Sequence, residues 1–133
     1  MRVERTTDAN VIRKVILNTS ELGADSDTPI PLHESIYHVI AKDEDVMGIA
    51  SFFPIDGKAW SPHMAVLPKH RGIGTELLER AMAWMAVNTQ CKSLRVAVPA
   101  MNLKMIHVFD KCGFERSDFE AGHVLMERNL CLG

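Results

Sequence analysis

Apolar and polar residues follow two different periods along this chain of 133 residues. Apolar positions spaced three or four residues apart predict amphipathic helices at residues 11–16, 77–88 and 102–112. Apolar runs bounded by turn residues predict strands at residues 3–5, 35–41, 46–53, 64–67, 94–98 and 124–128. Residues 54–62 begin and end with proline and contain Asp56-Gly57, which predicts a connection between strands. The strand, helix and strand between residues 64 and 98 predict a right-handed parallel βαβ unit.

Residues 64–78 form the stretch that carries candidate chemistry, because an apolar strand there runs through a glycine loop into a helix. Pro68 cannot donate to a sheet ladder and closes the strand, while Gly72 and Gly74 let backbone N–H groups approach a ligand closely. The first N–H groups of a helix lack partners and favour a phosphate. The basic residues beside them are Lys69, His70 and Arg71. The segment predicts an anion site, and the alternative is a tight turn that holds no ligand.

Two known phosphate-binding patterns are absent from this loop. The dinucleotide fingerprint needs a third glycine and an acidic residue about twenty positions later, and the Walker loop ends in Gly-Lys-Ser/Thr. The loop instead resembles motif A of the GCN5-related N-acetyltransferases (GNATs), Gln/Arg-x-x-Gly-x-Gly/Ala, through Lys69-x-x-Gly72-x-Gly74. A second alignment places Arg71-Gly72 on the family's Arg-Gly pair and leaves the loop two residues shorter.

Residues 102–114 add a second match. They run from Asn102 to Gly113-Phe114 and are similar to motif B of the same family at matching spacing. The resemblance covers residues 46–114 and implies an α/β fold: a mixed, twisted, mostly antiparallel sheet with a central splayed parallel strand pair and helices on both faces. It also implies that acetyl-CoA is bound. The residues that it implies for this task are Met64, Ala65 and Val66 of the central strand, Lys69, His70, Arg71, Gly72, Ile73, Gly74 and Thr75 of the loop, and Asn102 and Phe109 of the last helix.

Transfer to an amine requires a base, because an ammonium group has no lone pair with which to attack. His63 is the titratable residue nearest upstream of the loop, and imidazole titrates near neutral pH. It is our candidate for the base, and an ordinary surface or hydrogen-bonded histidine is the alternative. Weaker candidates match only in residue type and approximate location: His33, Glu34, His38 and Asp56.

The resemblance also implies a tyrosine on the last helix that protonates the departing CoA thiolate. Phe109 stands at that position and has no proton to give. His107 and Cys112 are close in sequence, but helical geometry turns His107 to another side of the helix. Loss of acid assistance would slow the reaction by about a hundredfold or more.

Composition restricts the partners of the chain. A formal net charge of −2 and a pI near 6.3 provide no overall basic field for nucleic acid or an anionic membrane. The cysteines at 91, 112 and 131 lack Cys-x-x-Cys spacing, so we expect neither a disulfide framework nor a metal site. Without an apolar leader or a segment of membrane-spanning length, we expect a cytoplasmic protein whose residues 1–133 form one domain. Exposed strand edges and the apolar C-terminus would allow a homodimer.

The acceptor side is the least specified part of the sequence. Residues 20–31 have the composition of a loop, and Glu21, Asp25 and Asp27 there form either a solvated acidic surface or an attractor for an amine. The hypothesis that follows is an N-acetyltransferase that moves the acetyl group of acetyl-CoA to a small-molecule or protein amine by direct attack. The alternatives are a CoA-binding module with little or no catalysis and a partner-binding protein that retains only the fold.

Overall fold

The computed structural model describes residues 1–17 and 29–130. Within these residues the elements, in chain order, are β1 (Arg2–Thr6), α1 (Ala9–Leu17), β2 (Tyr37–Lys42), β3 (Val46–Asp56), β4 (Ala59–Val66), a 3₁₀ turn (Pro68–His70), α2 (Gly74–Asn88), β5 (Ser93–Pro99), α3 (Leu103–Lys111), β6 (Glu115–Glu120) and β7 (His123–Asn129). The three predicted helices and the six predicted strands are therefore all present, with some changes in their bounds. The acidic residues Glu21, Asp25 and Asp27 lie outside the described residues, as does Cys131.

The strands form one mixed sheet in the order β1-β2-β3-β4-β5-β7-β6. All neighbouring strands are antiparallel except β4 and β5, which are parallel. These two strands pair only where Ala59 faces Ser93 and Trp60 faces Leu94. Their C-terminal halves have no partner residues across the gap, so a cleft opens in the middle of the sheet. The predicted sheet with a central splayed parallel pair is confirmed.

Helices cover both faces of the sheet, because strand side chains alternate in direction and give each face its own apolar set. On one face Ile12 and Val15 of α1 pack against Ile40, Ile49 and Ala65. On the other face α2 and α3 cover a larger core. Its fully buried helical residues include Leu77, Leu78, Ala81 and Met85. The predicted placement of helices on both faces is also confirmed.

The predicted connection at residues 54–62 is wrong. β3 and β4 extend into this segment from both sides and leave only a tight turn at Gly57, where φ is 42°. Proline is tolerated here because each of the two prolines has a paired strand on one side only, so its missing N–H group leaves no ladder bond unmade on the open side. Pro54 lies beyond Phe52, the last β3 residue paired with β2, and Pro62 lies on β4 after its pairing with β5 has ended.

Strand β6 was missed by the sequence prediction. Its six residues, Glu-Arg-Ser-Asp-Phe-Glu, are all exposed and show no apolar alternation. The strand is an edge that pairs only with β7. Backbone hydrogen bonds to β7 therefore define it, and these leave no signal in the side-chain pattern. None of the helices in the described part of the chain is long and apolar enough to cross a membrane.

Candidate active site

The glycine loop follows β4 and passes through the 3₁₀ turn before α2 begins at Gly74. The N–H group of His70 donates to the carbonyl of Leu67 at 2.8 Å and closes that turn. Gly72 then adopts a φ of 99°, which residues with a Cβ rarely reach, and an added Cβ there would meet no atom within 4 Å. A side chain would have room at this position, so the positive φ of the loop, and not crowding, is the reason for a glycine.

Several backbone N–H groups in this loop are unpaired. The N–H groups of Gly72, Gly74, Thr75 and Glu76 donate to no acceptor in the described part of the chain. The next amide, that of Leu77, donates to the carbonyl of Ile73 at 2.8 Å as the first α-helical hydrogen bond. The N-cap residue Ile73 has no polar side chain that could satisfy any of these groups. Unpaired N–H groups at the positive end of a helix dipole favour an anion such as a phosphate.

A cavity of about 270 Å³ lies against the loop. Its lining residues come from β4, the loop and α3: Met64, Val66, Pro68, Arg71, Gly72, Gly74, Thr75, Lys104, Met105, His107 and Val108. Of the residues predicted for the cofactor loop, Lys69, His70 and Ile73 are not among those that line it. Arg71 and Lys104 bring positive charge from two sides of the space. Lys104 and His107 were missed as binding residues, although their i, i+3 spacing places them on one side of α3.

A second space of about 190 Å³ lies in the cleft between β4 and β5. Its lining residues are Pro62, His63, Met64, Val96, Ala97, Val98, Pro99, Asn102, Met105 and Phe109. Met64 and Met105 line both spaces, so the loop cavity and the cleft are adjoining. The structure thereby brings His63, Asn102 and Phe109 together. The contribution of β5 was missed, because the splaying of two strands has no signature in a single sequence.

The backbone of β4 is exposed toward the cleft at alternate residues. The N–H group of Leu67 donates to the carbonyl of Met47 next to β3 at 3.0 Å. Since N–H groups alternate between the two sides of a strand, those of Val66 and Met64 point toward β5, where Pro62 has none to offer. Ala65, the residue between the two donors, directs its N–H toward β3, and its side chain is buried against α1.

His63 lies in the cleft with its imidazole in a partly dry environment. Its ring stands nearly perpendicular to that of Phe53, with centroids 5.3 Å apart, and its Nε2 is 3.4 Å from Oγ of Ser61. The residue keeps exposed surface, yet the atoms packed around it withdraw enough water to lower the pKa of the imidazole below its usual value. A lowered pKa keeps the ring neutral at physiological pH, which is the form that accepts a proton.

His38 is buried and already committed to structural hydrogen bonds. Its Nε2 donates to the carbonyl of Pro31 at 2.9 Å, and its Nδ1 accepts from Oγ of Ser51 at 2.8 Å. Burial is the main cause that lowers the pKa of this ring; Arg5 lowers it further, while the bond to Pro31 opposes the shift. His38 fixes the start of β2 to the preceding segment.

The remaining weak candidates for the base also lie outside the cleft. Asp56 pairs with Arg95, with 3.1 Å between Oδ2 and Nη2. His33 is exposed and holds Oγ of Ser35 at 2.7 Å. Neither these two nor Glu34 lines the space between β4 and β5 in the described part of the chain.

Helix α3 positions the residues predicted from motif B. Asn102 is the N-cap, and its Oδ1 accepts from the N–H group of Met105 at 3.2 Å. At the other end Gly113 has a φ of 83°, which confirms the predicted left-handed cap. Phe109 is 2% exposed and packs edge-on against Phe114 at 4.8 Å. No hydroxyl group is among the described residues that line the cleft.

Cys112 does not replace the missing tyrosine. Its Sγ donates to the carbonyl of Thr75 at 3.5 Å, below the loop and outside the cleft. Burial, together with the negative charge of Glu79 and a partial offset by Arg128, raises the pKa of this thiol to about 11. Because the thiol stays protonated and hydrogen-bonded, its visible role is to tie α3 to the first turn of α2.

The family can now be assigned. A model described as the acetyltransferase (GNAT) family matches residues 14–114. The chain belongs to the GNAT family. A search of curated protein sequences found no match to this chain.

Solved GNAT structures share the fold of the chain. The N-acetyltransferase PseH of Campylobacter jejuni, in complex with acetyl coenzyme A, aligns with a TM-score of 0.67 at 17% identity over 73% of this chain and 70% of that chain. The spermidine N-acetyltransferase of Vibrio cholerae, in complex with CoA and spermine, aligns with a TM-score of 0.74 at 14% identity over 96% of this chain and 94% of that chain. The GNAT domain of S. lividans PAT aligns with a TM-score of 0.77 at 19% identity over 96% of this chain and 89% of that chain. At such identities the likeness shows a common fold.

Membership in the GNAT family gives the chemistry of this protein at the level of the family, acetyl transfer from acetyl-CoA. The residues around the two adjoining spaces are compatible with acetyl-CoA, since the unpaired N–H groups of the loop and the side chains of Arg71 and Lys104 suit its phosphates. Among the described residues, no group of three or more His, Cys, Asp or Glu side chains is arranged to hold a metal ion.

Proposed function

We propose that this GNAT protein transfers the acetyl group of acetyl-CoA to an amine by direct attack. The observation that carries the proposal is the continuity of three features: the N–H groups of Gly72, Gly74, Thr75 and Glu76, which are unpaired among the described residues, the cavity in front of them, and the cleft that contains His63. A phosphate site, a channel and a proton acceptor are then available in the order that an extended thioester substrate needs.

The phosphate end of the site is assigned to the loop. The N–H groups of Gly72, Gly74 and Thr75 would donate to the diphosphate, and the side chains of Arg71 and Lys104 would supply charge. The other predicted loop residues contribute in a different way: the carbonyl of Ile73 accepts the first hydrogen bond of α2, His70 closes the 3₁₀ turn, and Lys69 adds a positive charge from outside the cavity.

The strand end of the site is assigned to β4 and α3. The N–H groups of Met64 and Val66 would hold the pantetheine arm and polarise the acyl carbonyl, and a single donor of this type contributes about 3–4 kcal/mol to the rate. Ala65 is the buried residue that fixes the spacing of these two donors. Asn102 and Phe109 bound the cleft on the α3 side. Acetyl-CoA supplies an acyl group that is already activated for transfer to nitrogen.

His63 is assigned as the base. It takes a proton from the ammonium form of the acceptor or from the attacking amine, and its lowered pKa keeps it ready for this at neutral pH. Phe109 donates nothing to the departing sulfur, so that atom leaves as a thiolate and takes its proton from water. Such a reaction is slower than one with an acid, and it still proceeds because a thiolate is a good leaving group.

The acceptor is an amine carried by a small molecule or a protein. Because one of the similar structures is a spermidine N-acetyltransferase bound to spermine, polyamines belong in the first panel of acceptors beside peptides and aminoglycosides. The proposal also retains one domain, a cytoplasmic location, no nucleic-acid or membrane partner, and a homodimer as an allowed assembly.

The test combines binding with turnover. Calorimetry with CoA measures the affinity of the loop, and release of free thiol in the presence of each amine measures transfer. His63→Ala is expected to lower kcat by about 10²- to 10⁴-fold and to leave the Kd for CoA unchanged. His33→Ala is the matched control, since that exposed histidine lies outside the cleft, and its activity should equal that of the wild type. Full activity of His63→Ala would remove this residue as the base.

A second function is favoured by one observation: none of the described residues that line the cleft carries a hydroxyl group. A CoA-binding module without catalysis would bind CoA with the same loop and release no thiol with any acceptor. If CoA does not bind at all, both functions fail and a partner-binding protein with a GNAT fold remains.

A further inference from the structure

The walls of the cleft between β4 and β5 are apolar over most of their area. Val96, Val98 and Phe109 are each less than 10% exposed, and Met64 and Met105 are half-buried. The polar side chains that line the cleft are His63 and Asn102. Among the described residues, no Asp, Glu, Lys or Arg side chain contributes to its lining. The part of the cleft wall that the structure describes therefore offers no cationic side chain to a charged acyl group.

The apolar wall is also adaptable. Met64 and Met105 have unbranched side chains with three rotatable bonds, so they can move aside for an added methylene without leaving a polar group unpaired. Phe109 presents a ring without a hydroxyl, fixed by its edge-on contact with Phe114 at 4.8 Å. The Asn102 side chain is held by its cap bond to the N–H of Met105. No directional hydrogen bond in this wall selects a single acyl length.

We propose that the cleft accepts short, straight, uncharged acyl groups, namely propionyl and butyryl besides acetyl, and rejects acyl groups that end in a carboxylate. This inference rests on the acyltransferase function proposed above. In each transfer the amine nitrogen forms a bond to the acyl carbon as the C–S bond breaks. One amine proton passes to His63 and from there to water, and the CoA thiolate takes a proton from water, so that His63 is neutral again. A terminal carboxylate would lose its hydration in the cleft with no cationic partner to replace it.

Two acyl groups with the same number of carbons test the effect of a terminal charge. Butyryl and succinyl both have four carbons, and only succinyl ends in a carboxylate. Calorimetry without an acceptor, so that no transfer occurs, is expected to give Kd values for acetyl-, propionyl- and butyryl-CoA within about tenfold of one another and a Kd for succinyl-CoA at least about tenfold above that of butyryl-CoA. Rates with an accepted amine should follow the same order. Butyryl-CoA that binds more than tenfold weaker than acetyl-CoA, or succinyl-CoA that binds as well as butyryl-CoA, would overturn the inference.

Two variants with the same substitution locate the effect. Met105→Phe makes the cleft narrower and is expected to raise the ratio of the butyryl-CoA Kd to the acetyl-CoA Kd by about tenfold. Met101→Phe is the control, because Met101 is 94% exposed and outside the cleft, and it should leave that ratio unchanged. An unchanged ratio in Met105→Phe would contradict the assignment of this wall. If Met105→Phe does not fold, Val98→Ile adds one methylene to the same cleft.

The failure of this inference is distinguishable from the failure of the proposed function. Binding and turnover of acetyl-CoA alone would overturn the wider acyl range and leave acetyl transfer intact. Absence of binding of every acyl-CoA would overturn both.

Discussion

Replacement of Gly72 by alanine tests the loop most directly, because the structure separates backbone strain from steric conflict at this residue. A Cβ at position 72 would meet no atom within 4 Å, but the φ of 99° is unfavourable for any side chain. Holding an alanine in a left-handed conformation costs about 1–2 kcal/mol. Either the strain lowers the stability of the folded variant, or the loop relaxes and the strain reappears as a weaker affinity for CoA. The loss of unfolding free energy and the loss of binding free energy should therefore add up to about 1–2 kcal/mol.

The assay is urea unfolding together with calorimetry against CoA. If the loop relaxes fully, the whole cost is transferred to binding, and the Kd rises by about 5- to 30-fold. Gly122→Ala is a matched control: Gly122 has a φ of 79°, an added Cβ there also meets nothing within 4 Å, and it does not line the loop cavity. It should lose stability alone. Gly72→Asn should lose less in total than Gly72→Ala, since asparagine tolerates positive φ better. A combined loss below about 0.5 kcal/mol in Gly72→Ala, or an equal loss of CoA affinity in Gly122→Ala, would refute the reasoning.

Three further predictions concern His38, Phe109 and Asn102. The pKa of His38 is lowered in the folded state, so its contribution to stability is complete above the unfolded value of about 6.5 and is lost as the pH falls through the folded value. Between pH 7.5 and pH 5 the free energy of unfolding, measured with urea, should therefore decrease more in the wild type than in His38→Gln. Equal decreases in the two proteins would contradict this. Phe109→Tyr restores a proton donor at the cleft and should raise kcat by up to about a hundredfold in the thiol-release assay, whereas a slower variant would show that the acid is not what limits the reaction. Asn102→Ala removes the cap of α3 and should cost about 1 kcal/mol of unfolding free energy. Asn102→Ser keeps a neutral cap acceptor and removes the amide group, so a weaker CoA affinity in Asn102→Ser with unchanged stability would assign the amide to cofactor binding.

The elements that the sequence predicted correctly are those whose side chains carry a periodic signal. α1, α2 and α3 each bury an apolar stripe, and the left-handed cap at Gly113 was legible because glycine at that position has one common use. The predictions that failed depended on neighbours. A proline disrupts a sheet when a neighbouring strand needs its missing N–H group. Pro54 and Pro62 pair within the β3–β4 ladder, and each has no paired strand on its other side.

The candidate site divides in the same way. Gly72 and Asn102 were named from the resemblance to the two GNAT motifs, and in the structure each has a local role, Gly72 in a turn with positive φ and Asn102 as the N-cap of α3. Lys104, His107 and the residues of β5 were missed, since their part in the site depends on how α3 and β5 approach β4 from distant positions in the chain. The sequence showed that position 109 is not a tyrosine, but only the structure showed that no other described residue lining the cleft carries a hydroxyl group.

The sequence by itself determined the order and type of the main elements, the phosphate-type loop and the resemblance to the GNAT family, because periodicity and turn chemistry act over a few residues. Only the tertiary structure decided that the parallel strands separate after two residue pairs, and that the loop cavity adjoins the resulting cleft through Met64 and Met105. It also decided that His63, among five candidates for the base, is the one that lines the cleft. Strand separation depends on packing between elements that are far apart in the chain, so no single stretch of the sequence determines it.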